Sequence, residues 1–210
     1  MDDVIARLCA DLEPVPRRFT ERRMMLAAGL GLAGAALLWL LVAGPRADLL
    51  EAVAGWAFWT KFLYAAVLAG GGFWLVARAG KPGAALAPPL LALAGGVAFI
   101  GVHAGTALRL PGADLAGLAM GQSAARAALT IVFLSLPALA AILWALRRLA
   151  PTQAAKTGAS AGLFAGSEGA LLYVLTCTED AALFVALWYT IGILLTATLG
   201  AFLGRLLLRW

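Results

Sequence analysis

The stretch Met24 to Ala43 reads MMLAAGLGLAGAALLWLLVA, twenty residues without a charge or a proline. A helix of about 20 apolar residues is what it takes to cross the hydrocarbon core of a bilayer. Five more runs of this kind follow, Phe62 to Ala77, Ala84 to Leu108, Ala127 to Leu146, Thr157 to Cys177 and Ala181 to Gly204. The second is short and is expected to borrow residues around Lys61. Lipid offers no partner to a free backbone amide, so each crossing must be helical. The expectation is an all-α polytopic membrane protein with six transmembrane helices.

The cations assign its sidedness, because Lys and Arg are retained on the cytoplasmic flanks during insertion. Arg7, Arg17, Arg18, Arg22 and Arg23 precede the first run; Arg78 and Lys81 follow the second; Arg147, Arg148 and Lys156 follow the fourth; Arg205 and Arg209 follow the last. With six alternating helices these twelve of the 16 Lys and Arg lie on one side, leaving Arg46, Lys61, Arg109 and Arg126 on the other. Both termini are therefore expected in the cytoplasm, with the protein multi-pass in its membrane.

Hydrophobic residues make up 63% of the 210 positions and the mean hydropathy is +0.92, which excludes a soluble single domain. Residues 1–23 form a cytoplasmic head and residues 24–210 the membrane domain, with no room for a second globular unit. The net charge of +5 is explained by orientation, so no direct contact with nucleic acid is expected. Arg17 and Arg18 are not read as a twin-arginine leader, since acidic residues precede them and no small-residue cleavage site follows.

The head opens with Asp2 and Asp3 and spaces Val4, Ile5, Leu8 and Leu12 by three and four, one face of a short amphipathic helix. Pro14 and Pro16 stop it. A helix of about 12 residues is marginal alone, so its apolar face needs a partner. Asp2, Asp3, Asp11 and Glu13 favour a protein over an anionic lipid surface, where Lys and Arg would serve better.

Small residues recur every four positions in the last two runs, at Gly158, Gly162, Gly166 and Ala170, and at Gly192, Thr196, Gly200 and Gly204. Such ridges let helix backbones approach closely. They serve packing within one chain and association into a homo-oligomer equally well. Pro88, Pro89 and Pro137 are expected to kink their helices.

Glu168 lies halfway along the fifth run, and a carboxylate at that depth is a candidate site by default. A neutral, hydrogen-bonded structural Glu, a signalling group and a proton-coupling group are all consistent with it; the last would make the chain a small transporter. His103 is the sole histidine, so a bis-histidine haem within one chain is excluded, and His103, Cys177 and Asp180 lack a zinc spacing. Neither a catalytic triad nor a phosphate loop is present, so no enzyme, cofactor or metal is expected. Cys9 and Cys177 fall on opposite sides of the bilayer and cannot pair. Trp56, Trp59 and Trp210 read as interfacial anchors, whereas Trp188 and Tyr189 read as structural packing residues inside the bundle.

Several local patterns occur together in the C-terminal half: Leu134-Ser135-Leu136-Pro137, Ala150-Pro151-Thr152, Tyr173 to Cys177 followed by Glu179-Asp180, Phe184, Trp188-Tyr189, and Gly200, Gly204, Arg205 with Leu208-Arg209-Trp210. In order and spacing this resembles the NrsF-type family of six-helix membrane anti-sigma factors, and Asp11 to Val15 is similar to that family's short cytoplasmic head. The resemblance implies a protein that holds an extracytoplasmic-function sigma factor at the membrane and releases it under stress, with heavy metals or oxidants as signals. Taken with the head's apolar stripe and acidic rim, this makes Ile5, Leu8, Asp11 and Leu12 the candidate partner-binding residues, and Cys177, Glu168 and Asp180 the candidate signal-sensing ones. Members commonly carry two extracytoplasmic cysteines. Here only Cys177 is on that side, and the region of the other reads Ala124, Ala125, Arg126, Ala127 and Ala128, so a disulfide does not carry over.

Overall fold

A computed structural model describes residues 19–81, 83–107, 109, 112, 114–149, 151 and 153–208. Ile5, Leu8, Cys9, Asp11, Leu12 and Trp210 lie outside the described residues. Every regular element within them is helical: α1 (Phe19–Val42), α2 (Leu49–Ala54), α3 (Trp56–Ala79), α4 (Ala87–Ala107), α5 (Leu115–Met120), α6 (Ala124–Leu146), α7 (Ala154–Val174) and α8 (Ala182–Leu207). Five stretches are long and apolar enough to cross a membrane, namely Glu21–Val42, Trp56–Ala79, Ala87–Thr106, Leu115–Leu146 and Ala182–Leu207.

The exception is α7, which is rich in Gly and Ser and carries Glu168. Its modest hydropathy follows from its position, because α7 is the central helix and fifteen of its 21 residues are buried. It is enclosed by protein where its neighbours keep an exposed apolar face, and it packs against α3, α6 and α8. The two small-residue ridges pack on each other in the α7–α8 seam: a Cβ on Gly204 would come within 2.8 Å of Gly158 Cα, and one on Gly200 within 2.8 Å of Gly162 Cα. Gly192 departs from that seam and faces Ile131 and Ala128 of α6.

α1 is the least embedded of the long helices. It buries a narrow stripe, Met24, Ala27, Gly31 and Ala35, and rests on α6 where Gly31 meets Ala138 and Gly34 meets Pro137. Leu26, Leu30, Leu37, Leu40 and Leu41 point outward, as lipid-facing side chains would.

Two expectations about proline need correction. Pro88 and Pro89 occupy the first turn of α4, where backbone N–H groups have no intrahelical acceptor, so they start the helix and do not kink it. Only Pro137 is internal, in α6.

The six long helices run alternately up and down. Arg23 at the start of α1 donates to Ala145 O at the end of α6 (3.1 Å), and Thr157 at the start of α7 donates to Ala79 O at the end of α3 (3.1 Å). This end of the bundle, which holds the first residues of α1 and the last of α8, also carries Arg22, Arg78, Lys81, Arg147, Arg148, Lys156 and Arg205. The opposite, loop end gathers α2, α5 and the α7–α8 loop, with Asp48, Glu51, Asp114, Glu179 and Asp180 among its charges. Apolar packing forms two tiers, one around Tyr64, Tyr173, Phe184 and Tyr189 towards the loop end and one around Met24, Val76, Ile142 and Phe164 towards the other.

Candidate functional site

The α7–α8 loop, residues 175–181, is the hub of the loop end. Val174 ends α7, so Cys177 stands in the loop and not at a helix end. Its thiol is free and buried, with Sγ 3.8 Å from Glu179 O. Loop carbonyls of this kind have no intrahelical donor and must be satisfied from elsewhere.

Two cations from the N-terminal half supply the donors. Lys61, on the first turns of α3, extends into the loop and spends its three ammonium hydrogens there, on Glu179 O (2.9 Å), Asp180 Oδ1 (2.9 Å) and Cys177 O (3.4 Å). Its side chain is only 1% exposed, while the paired Asp180 is 59% exposed. Arg46, in the α1–α2 linker, donates its backbone N–H to Leu175 O (3.0 Å) and its Nη1 to Cys177 O (3.0 Å). Its remaining fork closes on Asp48, through Nε to Oδ1 (2.7 Å) and Nη2 to Oδ2 (2.6 Å).

That bidentate contact holds the Asp48 carboxyl below the ordinary carboxylate range and raises the Arg46 guanidinium above its usual value. A depressed folded-state pKa gives stabilisation that is complete above the unfolded value and lost as pH falls through the folded one. The Asp48–Arg46 pair therefore persists through the whole neutral range.

The end of α1 is fastened to the same loop. Trp39 Nε1 donates to Thr176 Oγ1 (2.8 Å), and that hydroxyl donates to Gly44 O (2.7 Å). Gly44 has φ +66°, a left-handed conformation that turns the chain out of α1 and aims its carbonyl at Thr176. From the other flank, Gln122 N–H donates to Glu179 Oε1 (2.8 Å) and Trp188 Nε1 to Ala119 O (2.8 Å). Gly121, with φ +51°, lets this turn come close, since a Cβ there would meet Glu179 Cδ at 2.8 Å.

The structure thus unites Cys177 and Asp180 and leaves Glu168 apart. Glu168 is 5% exposed in the middle of α7, one turn past Phe164, whose backbone lies against Gly72 of α3. Its Oε2 has no hydrogen-bond partner, and the neighbouring Ser167 hydroxyl donates to Leu163 O (2.8 Å). Tyr189 is fully buried and tilts against Tyr173 at 5.5 Å between ring centroids, while Trp188 is half-buried. Both belong to a π-helical turn, Val185–Tyr189, inside α8. His103 takes its contacts elsewhere: it stacks on Phe99 and accepts from Trp56 Nε1 (3.2 Å). Among the described residues no three His, Cys, Asp or Glu side chains converge to hold a metal.

Sequence reasoning passed over Lys61 and Arg46, which it read as helix-flanking charges, and Trp39 and Thr176, which it read as apolar-run residues. The available signal was that acids balance cations on the side that holds these two, five to four, whereas cations outnumber acids on the other.

The comparisons with known proteins fit this architecture. The family profile for the negative regulator of sigma F, NrsF, matches residues 8–210. The chain belongs to the NrsF family. The anti-sigma-F factor NrsF of Caulobacter vibrioides is 39% identical over 217 residues, covering 100% of this chain and 99% of the relative. The probable anti-sigma-F factor NrsF of Azospira oryzae is 35% identical over 216 residues with the same shares covered. No solved structure matches. Both NrsF relatives are named as anti-sigma factors, that is, as regulators.

Proposed function

We propose that the chain is a non-enzymatic membrane anti-sigma factor, which sequesters an extracytoplasmic-function sigma factor through residues 1–23 and releases it on stress sensed at the outer face. The observation that carries this reading is the family match from residue 8 to residue 210, which takes in the head from residue 8 onward as well as the bundle. The six up-down helices then form a multi-pass domain, residues 24–210, in the bacterial inner membrane, with α7 as a sixth span sheltered from lipid by its neighbours. The end with most of the cations faces the cytoplasm, and the loop end faces outward. Ile5, Leu8, Asp11 and Leu12 bind the sigma factor. Cys177 and Asp180 belong to the sensing end, and Glu168 is relegated to packing.

Reporter fusions check the topology. A periplasm-active reporter should work when inserted after Gly121 and fail at the C terminus, and a cytoplasm-active one should do the reverse. Periplasmic activity at the C terminus would sink the arrangement. Sigma retention is checked by co-purifying a cognate sigma factor with the full chain from membranes.

A further inference from the structure

Lys61 and Glu168 are the two charged residues buried outright among the described residues, and the Arg46 side chain is nearly so, at 7% exposed. Their circumstances differ, because every Lys61 hydrogen is used and all three acceptors belong to one loop. A charge buried on one side of a half-exposed ion pair must be met by fixed acceptors, and the best-attested use of a buried charge is to fix one register over another. Here the register concerns α1. The loop that Lys61 holds is the loop to which the end of α1 is tied, by Trp39 and Gly44 through the Thr176 hydroxyl and by Arg46 through Leu175 O and Cys177 O. α1 buries only a narrow stripe along its length, so those ties are a large part of what sets its position. At its other end it runs into the head.

We infer that Lys61 and Arg46 are positioning residues of a strap that holds α1 in the sigma-retaining position, and that the outer-face signal acts by freeing the loop from the strap through the exposed Asp180. The loop is the sensor surface, Thr176 is the joint, and α1 is the rod that carries the displacement to the head. This rests on the anti-sigma reading above.

The test uses the full chain in its membrane, a reporter driven by the cognate sigma factor, and immunoblots of the membrane fraction. Thr176→Val keeps the side-chain shape and removes the hydroxyl from the joint. It should raise unstimulated reporter output at least about tenfold, the equivalent of ~1.4 kcal/mol, at undiminished protein level. Thr176→Ser should restore silence. Lys61→Met and Asp180→Asn should each derepress, and the double variant should fall short of the sum of the two, because both act on the Lys61–Asp180 ion pair. Tyr64→Phe is the control: it deletes a bond of 2.6 Å to Thr190 Oγ1 in the same tier without touching the strap, and should stay silent. A silent Thr176→Val chain at normal abundance overturns the inference. So does derepression by Tyr64→Phe equal to that of the strap variants, or reporter output that merely tracks protein loss. If the unaltered chain fails to silence the reporter, the anti-sigma reading itself is what fails.

Discussion

Glu168 drew attention in the sequence for its depth, and its surroundings argue for tolerance over use. One carboxylate oxygen has no partner, whereas a working proton or ion site would present polar neighbours converging on it. Leaving a buried polar atom unsatisfied costs roughly 1–3 kcal/mol, so Glu168→Leu is expected to stabilise the bundle by that order. In a chain of this size each kcal/mol moves the melting temperature by roughly 2–4 °C, a rise readable in detergent by thermal unfolding. Sigma silencing should be unchanged. Silencing lost at an undiminished melting temperature would restore Glu168 as a working group and revive the proton-coupled reading. Lys61 is the opposite case: a helix-end lysine reads as a snorkelling flank, and nothing local reveals that the distant α7–α8 loop needs its donors.

The α7–α8 seam sets the architecture of the elements, and it makes a sharp contrast among glycines. A Cβ on Gly162 would press on the Thr196 backbone oxygen and lie 2.7 Å from Ala197 Cα, so Gly162→Ala must push α7 and α8 apart at their closest approach. Overpacking of this kind costs typically about 1–3 kcal/mol. Gly70 in α3 has nothing within 4 Å of where its Cβ would stand, so Gly70→Ala should gain up to about 0.8–1 kcal/mol in helix propensity. Thermal melts of the two variants in one detergent should move in opposite directions; a shared direction would contradict the packing. These ridges were legible because a four-residue period of small side chains marks a close helix–helix approach, whereas the identity of the partner helix was not. The apolar runs were legible too, since length and the absence of charge are local properties. α7 tested that rule and kept its place as a helix only because glycine and serine are admissible where protein replaces lipid. Pro88 and Pro89 were misread because a proline pair inside an apolar run looks like a kink until the helix start is known. The π turn at Val185–Tyr189 is invisible to any periodicity of 3.6. The strap itself joins residues 46, 61 and 180, and a pairing of that separation leaves no pattern along the chain.

Across the whole molecule, charge and polarity are divided between two ends with different work. The loop end collects acids and the two strap cations, and the other end offers a cationic rim from which α1 leads into the head. Retention should therefore depend on the head's apolar stripe. If Ile5, Leu8 and Leu12 dock as one face into a groove of the sigma factor, the contact is helix-in-groove recognition, with Asp2, Asp3, Asp11 and Glu13 meeting basic residues at its rim. Burying a leucine side chain contributes about 1.5–3 kcal/mol, so Leu8→Asp and Leu12→Asp, each in the full chain, should weaken sigma binding by at least about tenfold. Reversing Asp11 to Lys should act through association rate and salt dependence, as rim charges do. Binding of the purified sigma factor to the chain in nanodiscs, followed at two salt concentrations, measures all three. A head that instead lies on the bilayer predicts a different result: the double Leu8→Asp, Leu12→Asp variant would hold the sigma factor undiminished and only lose protection of the head from protease at the membrane surface.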